Sequence, residues 1–249
     1  MKILACYSNK GGVGKTATSV NLAYASASRG RRTLLCDLDP QGASGFYYRV
    51  KPSKKLKGKA FFKDVECFTR AIRGSDFDNL DLVPANLTYR DFDIFLSRMK
   101  NSRSRLKKAL RAVDSDYDVI ILDCPPNISL LSENVFKVAD TIVVPVIPTT
   151  LSVRTLEQLY TFFGKNKYQR KKLLPFFSMV QKSKKLHKET MVSLRGKYKN
   201  ILDGSIPFST DIEKMGVHRA PVLTYAGGKP VGSAYIKLWK DIEKRVKIG

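Results

Sequence analysis

The residue types that could do chemistry are concentrated near the start of the chain. Lys10-Gly11-Gly12-Val13-Gly14-Lys15-Thr16 follows the apolar run Ile3–Tyr7 and precedes a stretch with helical character. Strand, glycine loop, lysine, hydroxyl and helix in that order form a phosphate cradle. The glycines let backbone N–H groups approach phosphate oxygens, Lys15 can reach the β- and γ-phosphates, and the Thr16 hydroxyl can ligate Mg²⁺. The helix amino terminus adds its positive dipole end. The usual pattern places glycine five residues before Gly14, where this chain has Asn9, and it carries an additional lysine, Lys10.

Two further segments supply carboxylates. Asp37-Leu38-Asp39-Pro40-Gln41-Gly42 follows a second apolar run, and its Pro and Gly turn the chain back toward the glycine loop. Asp37 and Asp39 are therefore expected near the phosphates, although an Asp-Pro turn can simply close a strand. Val119-Ile120-Ile121-Leu122-Asp123 reads as a buried strand delivering one carboxylate to a Mg²⁺ shell. Cys124-Pro125-Pro126 then imposes a stiff, extended exit suited to sensing hydrolysis.

These elements need a scaffold. Apolar runs at Ile3–Tyr7, Thr33–Cys36, Leu80–Val83, Val119–Leu122, Thr141–Val146, Leu174–Val180 and Ser205–Ile206 predict strands. Helices are expected over Lys15–Arg29, Tyr89–Met99, Ser102–Val113, Leu130–Val138, Val153–Phe163, His187–Lys199 and Ser233–Val246. The alternation predicts an α/β fold, doubly wound, with a mostly parallel sheet covered by helices on both faces. Ligands of such sheets bind at the carboxyl ends of the strands, where the loop, Asp39 and Asp123 all fall. The 249 residues suffice for one large domain, 1–249. Residues 49–63 carry seven basic side chains and Pro52 and read as an insertion or mobile segment within it.

Charge and cysteine usage narrow the partners. With 45 Lys and Arg against 22 Asp and Glu, the net charge of +23 points to a polyanion, either nucleic acid or an anionic membrane surface. Asn166 to Lys199 holds one acid, Glu189, and a second basic cluster runs from Arg98 to Arg111. Such runs are also found as solvated faces. Cys6, Cys36, Cys67 and Cys124 form no CxxC pair, which argues against zinc and a disulfide framework and for small buried hydrophobes in a reducing cytosol. No signal peptide or transmembrane-length run is expected. Asn166-Lys167-Tyr168-Gln169 lacks the final Asp of a guanine-reading motif.

Taken together, the loop with its extra lysine, the Asp37–Gly42 segment and Ile121-Leu122-Asp123-Cys124-Pro125-Pro126 resemble the ParA/Soj partition ATPases, deviant-Walker-A relatives of MinD within the P-loop NTPases. The likeness continues through Val143-Val144-Pro145, Ser205-Ile206-Pro207 and Gly228-Lys229-Pro230. It implies ATP and Mg²⁺ as cofactors and a slow ATP hydrolase. Two protomers would close face to face on two nucleotides, Lys10 reaching the partner's phosphates. Gly11 to Ala17 would cradle the same-chain phosphates, with Lys15 binding them and Thr16 holding Mg²⁺. Asp37 and Asp123 would support the metal through water, Asp39 would orient or deprotonate the attacking water, and Pro207 and Phe208 would enclose adenine.

The resemblance further implies a cytoplasmic, nucleoid-associated homodimer. It would hold double-stranded DNA without sequence preference and release it when a ParB-like adaptor, or another cargo adaptor, stimulates hydrolysis. The cargo would be a plasmid, a chromosome or a protein assembly. Many relatives place arginines just after the Ile-Pro pair, whereas this chain reads Phe208-Ser209-Thr210-Asp211, with Arg219 next downstream. With the glycine loop starting at residue 10, no amino-terminal DNA-reading domain is expected. A MinD-like membrane-associated ATPase is the alternative, since Tyr235, Leu238, Trp239, Ile242 and Val246 could lie on a bilayer. Packing of that stripe on the sheet is the favoured expectation.

Overall fold

A computed structural model describes residues 1–54 and 57–248. The chain runs β1 (Lys2–Cys6), α1 (Lys15–Ala27), β2 (Thr33–Asp37), α2 (Ala43–Tyr47), α3 (Gly58–Lys63), α4 (Val65–Thr69), β3 (Arg73–Gly74) and β4 (Leu80–Val83). It continues through α5 (Phe92–Ser97), α6 (Arg105–Arg111), β5 (Val119–Asp123), α7 (Leu130–Val138), β6 (Thr141–Val146), α8 (Thr150–Lys165), β7 (Leu173–Val180) and α9 (Lys185–Lys197). The last part is β8 (Ser205–Pro207), α10 (Thr210–Glu213), α11 (Met215–His218), α12 (Val222–Ala226) and α13 (Pro230–Val246).

One sheet carries the strands in the order β3-β4-β2-β5-β1-β6-β7-β8. All neighbours are parallel except the short edge pair β3–β4. Successive side chains of β1 divide between the two faces: Ile3 and Ala5 join one buried cluster, Leu4 and Cys6 the other. Helices therefore cover both faces, and the continuously apolar strands are buried throughout. The expected doubly wound sheet is the one observed.

The register levels the chemistry. Asp37 stands opposite Asp123 across β2 and β5, and Asp123 stands opposite Cys6 across β5 and β1. Three strands thus end together, and the glycine loop leaves β1 at that line.

Part of the basic 49–63 stretch is helical. Among the described residues of the 49–63 stretch, Gly58–Lys63 is helical, with Phe61 and Phe62 buried. They pack in an aromatic cluster with Phe68, Tyr89 and Phe92, in which Tyr89 stacks on Phe92 at 4.3 Å. Each buried phenylalanine contributes about 2–3 kcal/mol, enough to fold this segment onto the domain despite its lysines. Lys55, one of the seven basic residues, lies outside the described residues.

The carboxyl-terminal stripe is used internally. Tyr235, Leu238, Trp239 and Ile242 are buried in the cluster that also holds α1 and β8 side chains. Pro230 opens α13 at a position that needs no N–H, which starts it three residues earlier than expected. The face required for lying on a bilayer is thus occupied by the core. Among the described residues no helix is long and apolar enough to cross a membrane.

Candidate active site

The loop between β1 and α1 is shaped by two left-handed glycines, Gly12 at φ 69° and Gly14 at φ 90°. Gly14 caps α1. The position is also tight: a β-carbon there would sit 3.2 Å from the Ser178 hydroxyl, which donates to the Val13 carbonyl at 3.0 Å. β7 thereby braces the loop from below. Gly14→Ala is expected to lower stability by about 1–2 kcal/mol through the positive φ alone. It should also tilt the loop's N–H groups off a phosphate. Thermal unfolding and nucleotide titration together check this, and an unaltered nucleotide affinity would contradict it.

The two lysines occupy defined places. The Lys15 ammonium donates to the Lys10 carbonyl at 3.2 Å, folded back over the loop. Burial pulls its pKa below the ordinary lysine value, and the nearby carboxylates Asp123 and Asp39 push the other way. The Lys10 ammonium lies elsewhere, donating to the buried Ser152 hydroxyl at 3.0 Å in the first turn of α8. This turn exists because α8 begins at Thr150, three residues before the expected start.

The carboxylates form a buried pair with unlike surroundings. Asp37 accepts two backbone N–H groups, from Asp39 at 3.1 Å and from Ser44 at 3.0 Å. Asp123 accepts hydroxyls, from Ser19 at 3.0 Å and Ser44 at 2.8 Å, with Thr16 as a third contributor. Burial pushes the Asp123 carboxyl up to about 6, and the hydroxyls partly oppose the rise. Burial and then the neighbouring Asp123 charge raise Asp37 well above the ordinary range. Two carboxylates in adjacent register repel, the Lys15 ammonium offsets this only in part, and a divalent cation would relieve the rest. Thr16, Asp37 and Asp123 supply hard oxygen donors of the kind Mg²⁺ prefers. Among the described residues no group of three or more His, Cys, Asp or Glu forms an all-protein metal cage. Donors this few fit a metal that keeps waters and phosphate oxygens.

Asp39 is half-buried at the mouth of the site. Its carboxylate accepts the Gln41 N–H at 3.0 Å, and its carbonyl accepts the Gly42 N–H at 2.9 Å, so the Asp-Pro-Gln-Gly turn presents it at a fixed angle. Pro207 and Phe208 stand apart from this centre. They line a cleft of about 550 Å³ with Lys182, Pro230 and Ala234. Phe208 is 51% exposed, so its ring is not part of the core and is free for stacking.

Ser19, Ser44, Ser152 and Ser178 were not singled out from the sequence. Ser19 follows Lys15 by four residues, on the same helix face, which was the available signal. Ser44 and Ser152 reach the site through tertiary packing and left none. Cys6, Cys36 and Cys124 are buried as expected, whereas Cys67 is half-buried and bonds Asp64.

The chain matches the AAA_31 family model, an AAA domain, over residues 1–176. It is 38% identical over 160 residues to the sporulation initiation inhibitor protein Soj of Bacillus subtilis, covering 64% of this chain and 63% of Soj. It is 37% identical over 160 residues to the chromosome partitioning protein ParA of Myxococcus xanthus, covering 63% and 56%. The chain thus spans roughly three-fifths of the length of these curated relatives. Among solved structures, cobyrinic acid a,c-diamide synthase from Mycobacterium smegmatis, with bound ATP analog and magnesium, superposes with a TM-score of 0.83 at 27% identity, covering 99% of this chain and 96% of that one. A putative plasmid partition protein from Borrelia burgdorferi B31 bound to AMPPNP gives 0.82 at 22% identity, covering 98% of both, and shares the fold.

Proposed function

This chain belongs to the ParA/Soj-like ATPases of the AAA_31 family of AAA domains, and from that premise we propose that it is a partition or positioning ATPase that closes as a dimer on ATP. The single observation that carries the reading is the convergence at one sheet end of two loop lysines and three carboxylates, Asp37, Asp39 and Asp123.

ATP and Mg²⁺ are its cofactors. The metal, when bound, neutralises charge on the β- and γ-phosphate oxygens. Lys15 leaves the Lys10 carbonyl for the incoming phosphates, and the N–H groups of Gly11 to Ala17 cradle them. Thr16, Asp37 and Asp123 hold the metal shell. Asp39 orients the attacking water and accepts its proton. Pro207 and Phe208 flank the adenine. Lys10 leaves Ser152 and reaches the phosphates bound by the second protomer. A lysine there offsets repulsion between two opposed triphosphates, which makes closure nucleotide-dependent. Turnover is slow because the site is complete only in the closed, partner-bound form.

The closed dimer holds double-stranded DNA without sequence preference through its basic surface and releases it after hydrolysis stimulated by a ParB-like or other cargo adaptor. The net charge of +23 supports a polyanionic partner and disfavours a metabolic enzyme on this fold. The buried stripe of α13 disfavours the membrane alternative. A cytoplasmic, nucleoid-associated protein follows from that cycle.

The test is analytical ultracentrifugation and DNA retention, each with and without a non-hydrolysable ATP mimic and Mg²⁺. Dimerisation and DNA retention that both require nucleotide are expected. A monomer under all conditions, or equal DNA retention without nucleotide, would overturn the reading. Lys10→Ala should weaken nucleotide-dependent dimerisation by about tenfold or more, the worth of one charge-assisted contact. An unchanged sedimentation profile would exclude the contact across the dimer.

A further inference from the structure

The sheet end opposite the glycine loop holds a second concentration of uncompensated charge. At the amino ends of β6 and β7, a cleft of about 470 Å³ is lined by Arg170, Lys171, Lys199 and Arg245, together with Tyr160 and Asn200. No acid lines it. None of these four cations forms an ion pair among the described residues.

Three cations of the same region are neutralised or spent. Arg195 pairs with Asp203 at 3.4 Å, Lys197 pairs with Glu157, and Lys172 donates to the Ala139 carbonyl at 2.7 Å, closing the end of α7. Four like charges around one concavity repel, and a bound anion removes that cost.

The floor is preplaced. Arg170 donates through Nε to the Tyr160 carbonyl at 3.1 Å, and its guanidinium lies against Gly164, where any β-carbon would collide with it. The Tyr160 ring stacks on Tyr198 at 4.4 Å, and its hydroxyl donates to Asn200 at 2.9 Å. Asn200 in turn donates to the Leu173 carbonyl. With Nε satisfied and Nη2 against Gly164, Nη1 is the nitrogen left to donate to a phosphate oxygen.

The shape selects the ligand. A recess of this volume falls in the range of small-molecule sites. We infer that this cleft is a second anion site, separate from the glycine loop, that takes a compact polyphosphate: an inorganic oligophosphate or the phosphate tail of a nucleotide. This assignment does not depend on the proposed nucleotide cycle.

The experiment is isothermal titration calorimetry of the full chain with inorganic tripolyphosphate, without magnesium and at about 0.15 M salt. It uses a Lys15→Ala background, which weakens competition from the loop. Saturable 1:1 binding is expected. Gly164→Ala then displaces the Arg170 guanidinium while retaining every charge, and alanine favours the surrounding helix, so the fold is not at risk. It should weaken binding about tenfold, and Lys199→Gln combined with Arg245→Gln should abolish it. ADP as a second titrant identifies the source: binding as tight as tripolyphosphate points to nucleotide, and weaker binding points to inorganic phosphate. No saturable heat, or equal affinity in Gly164→Ala, would overturn the assignment. So would a double variant that loses DNA retention while tripolyphosphate affinity stays, since the cations would then belong to a duplex surface.

Discussion

Asp39→Ala is expected to lower ATP turnover by about 10²–10³-fold while leaving nucleotide affinity within about threefold. A positioned proton acceptor contributes a factor of this size, and truncation removes it entirely. Binding survives because the affinity determinants lie elsewhere, in the glycine loop, Lys15 and Thr16. Asp39 is close enough to that loop for its charge to oppose the fall in the Lys15 pKa. Among the described residues its carboxylate holds only the Gln41 N–H, whose loss costs about 1 kcal/mol. The variant should therefore fold and bind ATP, and under the proposed cycle it should stay in the closed dimer on DNA. Single-turnover hydrolysis measured beside equilibrium ATP binding separates the two effects. Turnover within tenfold of the parent would remove Asp39 from its role. A parallel collapse of ATP affinity would show that it acts in binding instead.

Much of this was legible in the sequence because the chemistry is local. A glycine loop between an apolar run and a helix announces itself in seven residues. Continuous apolar runs such as Val119–Leu122 are what strands buried on both faces require, and β5 appears there with Asp123 as its last residue. The layout of α7 was readable to the residue, since Leu130–Val138 carries its own periodicity. What escaped was tertiary. Nothing in the order of residues says that Ser44 bridges to both Asp37 and Asp123, or that Ser152 receives Lys10, because those contacts are made across 7, 79 and 142 positions. The α3 helix was hidden by its two lysines, which equal in number the two phenylalanines that bury it. Arg170 read as one more charge in a basic run. Its place is set by Gly164, a residue whose significance is the absence of a side chain.

Asp123→Asn is expected to stabilise the nucleotide-free protein while destroying its magnesium-dependent hydrolysis. The folded carboxyl is pushed up to about 6, so the native state binds more protons than the unfolded chain between about pH 4 and pH 6. Stability therefore falls as pH rises through that window and stays low above it, by up to about 3 kcal/mol for a shift of this size. Asp37 shifts in the same direction and adds to the slope. An amide at 123 removes the ionised form, and the Ser19 and Ser44 hydroxyls can rotate to accept from its NH₂ as well as donate to its oxygen. A gain of about 1–3 kcal/mol at pH 8 and a flattened pH dependence should follow. Asp37→Asn offers the contrast. Both Asp37 oxygens receive backbone N–H groups, which cannot reverse, so the amide would face one of them donor to donor and lose about 1–3 kcal/mol. Denaturant unfolding of the two variants from pH 4 to pH 8 decides the matter. A destabilised Asp123→Asn at pH 8 would mean that the buried pair is already compensated without a metal, and the strain held ready for magnesium would not exist.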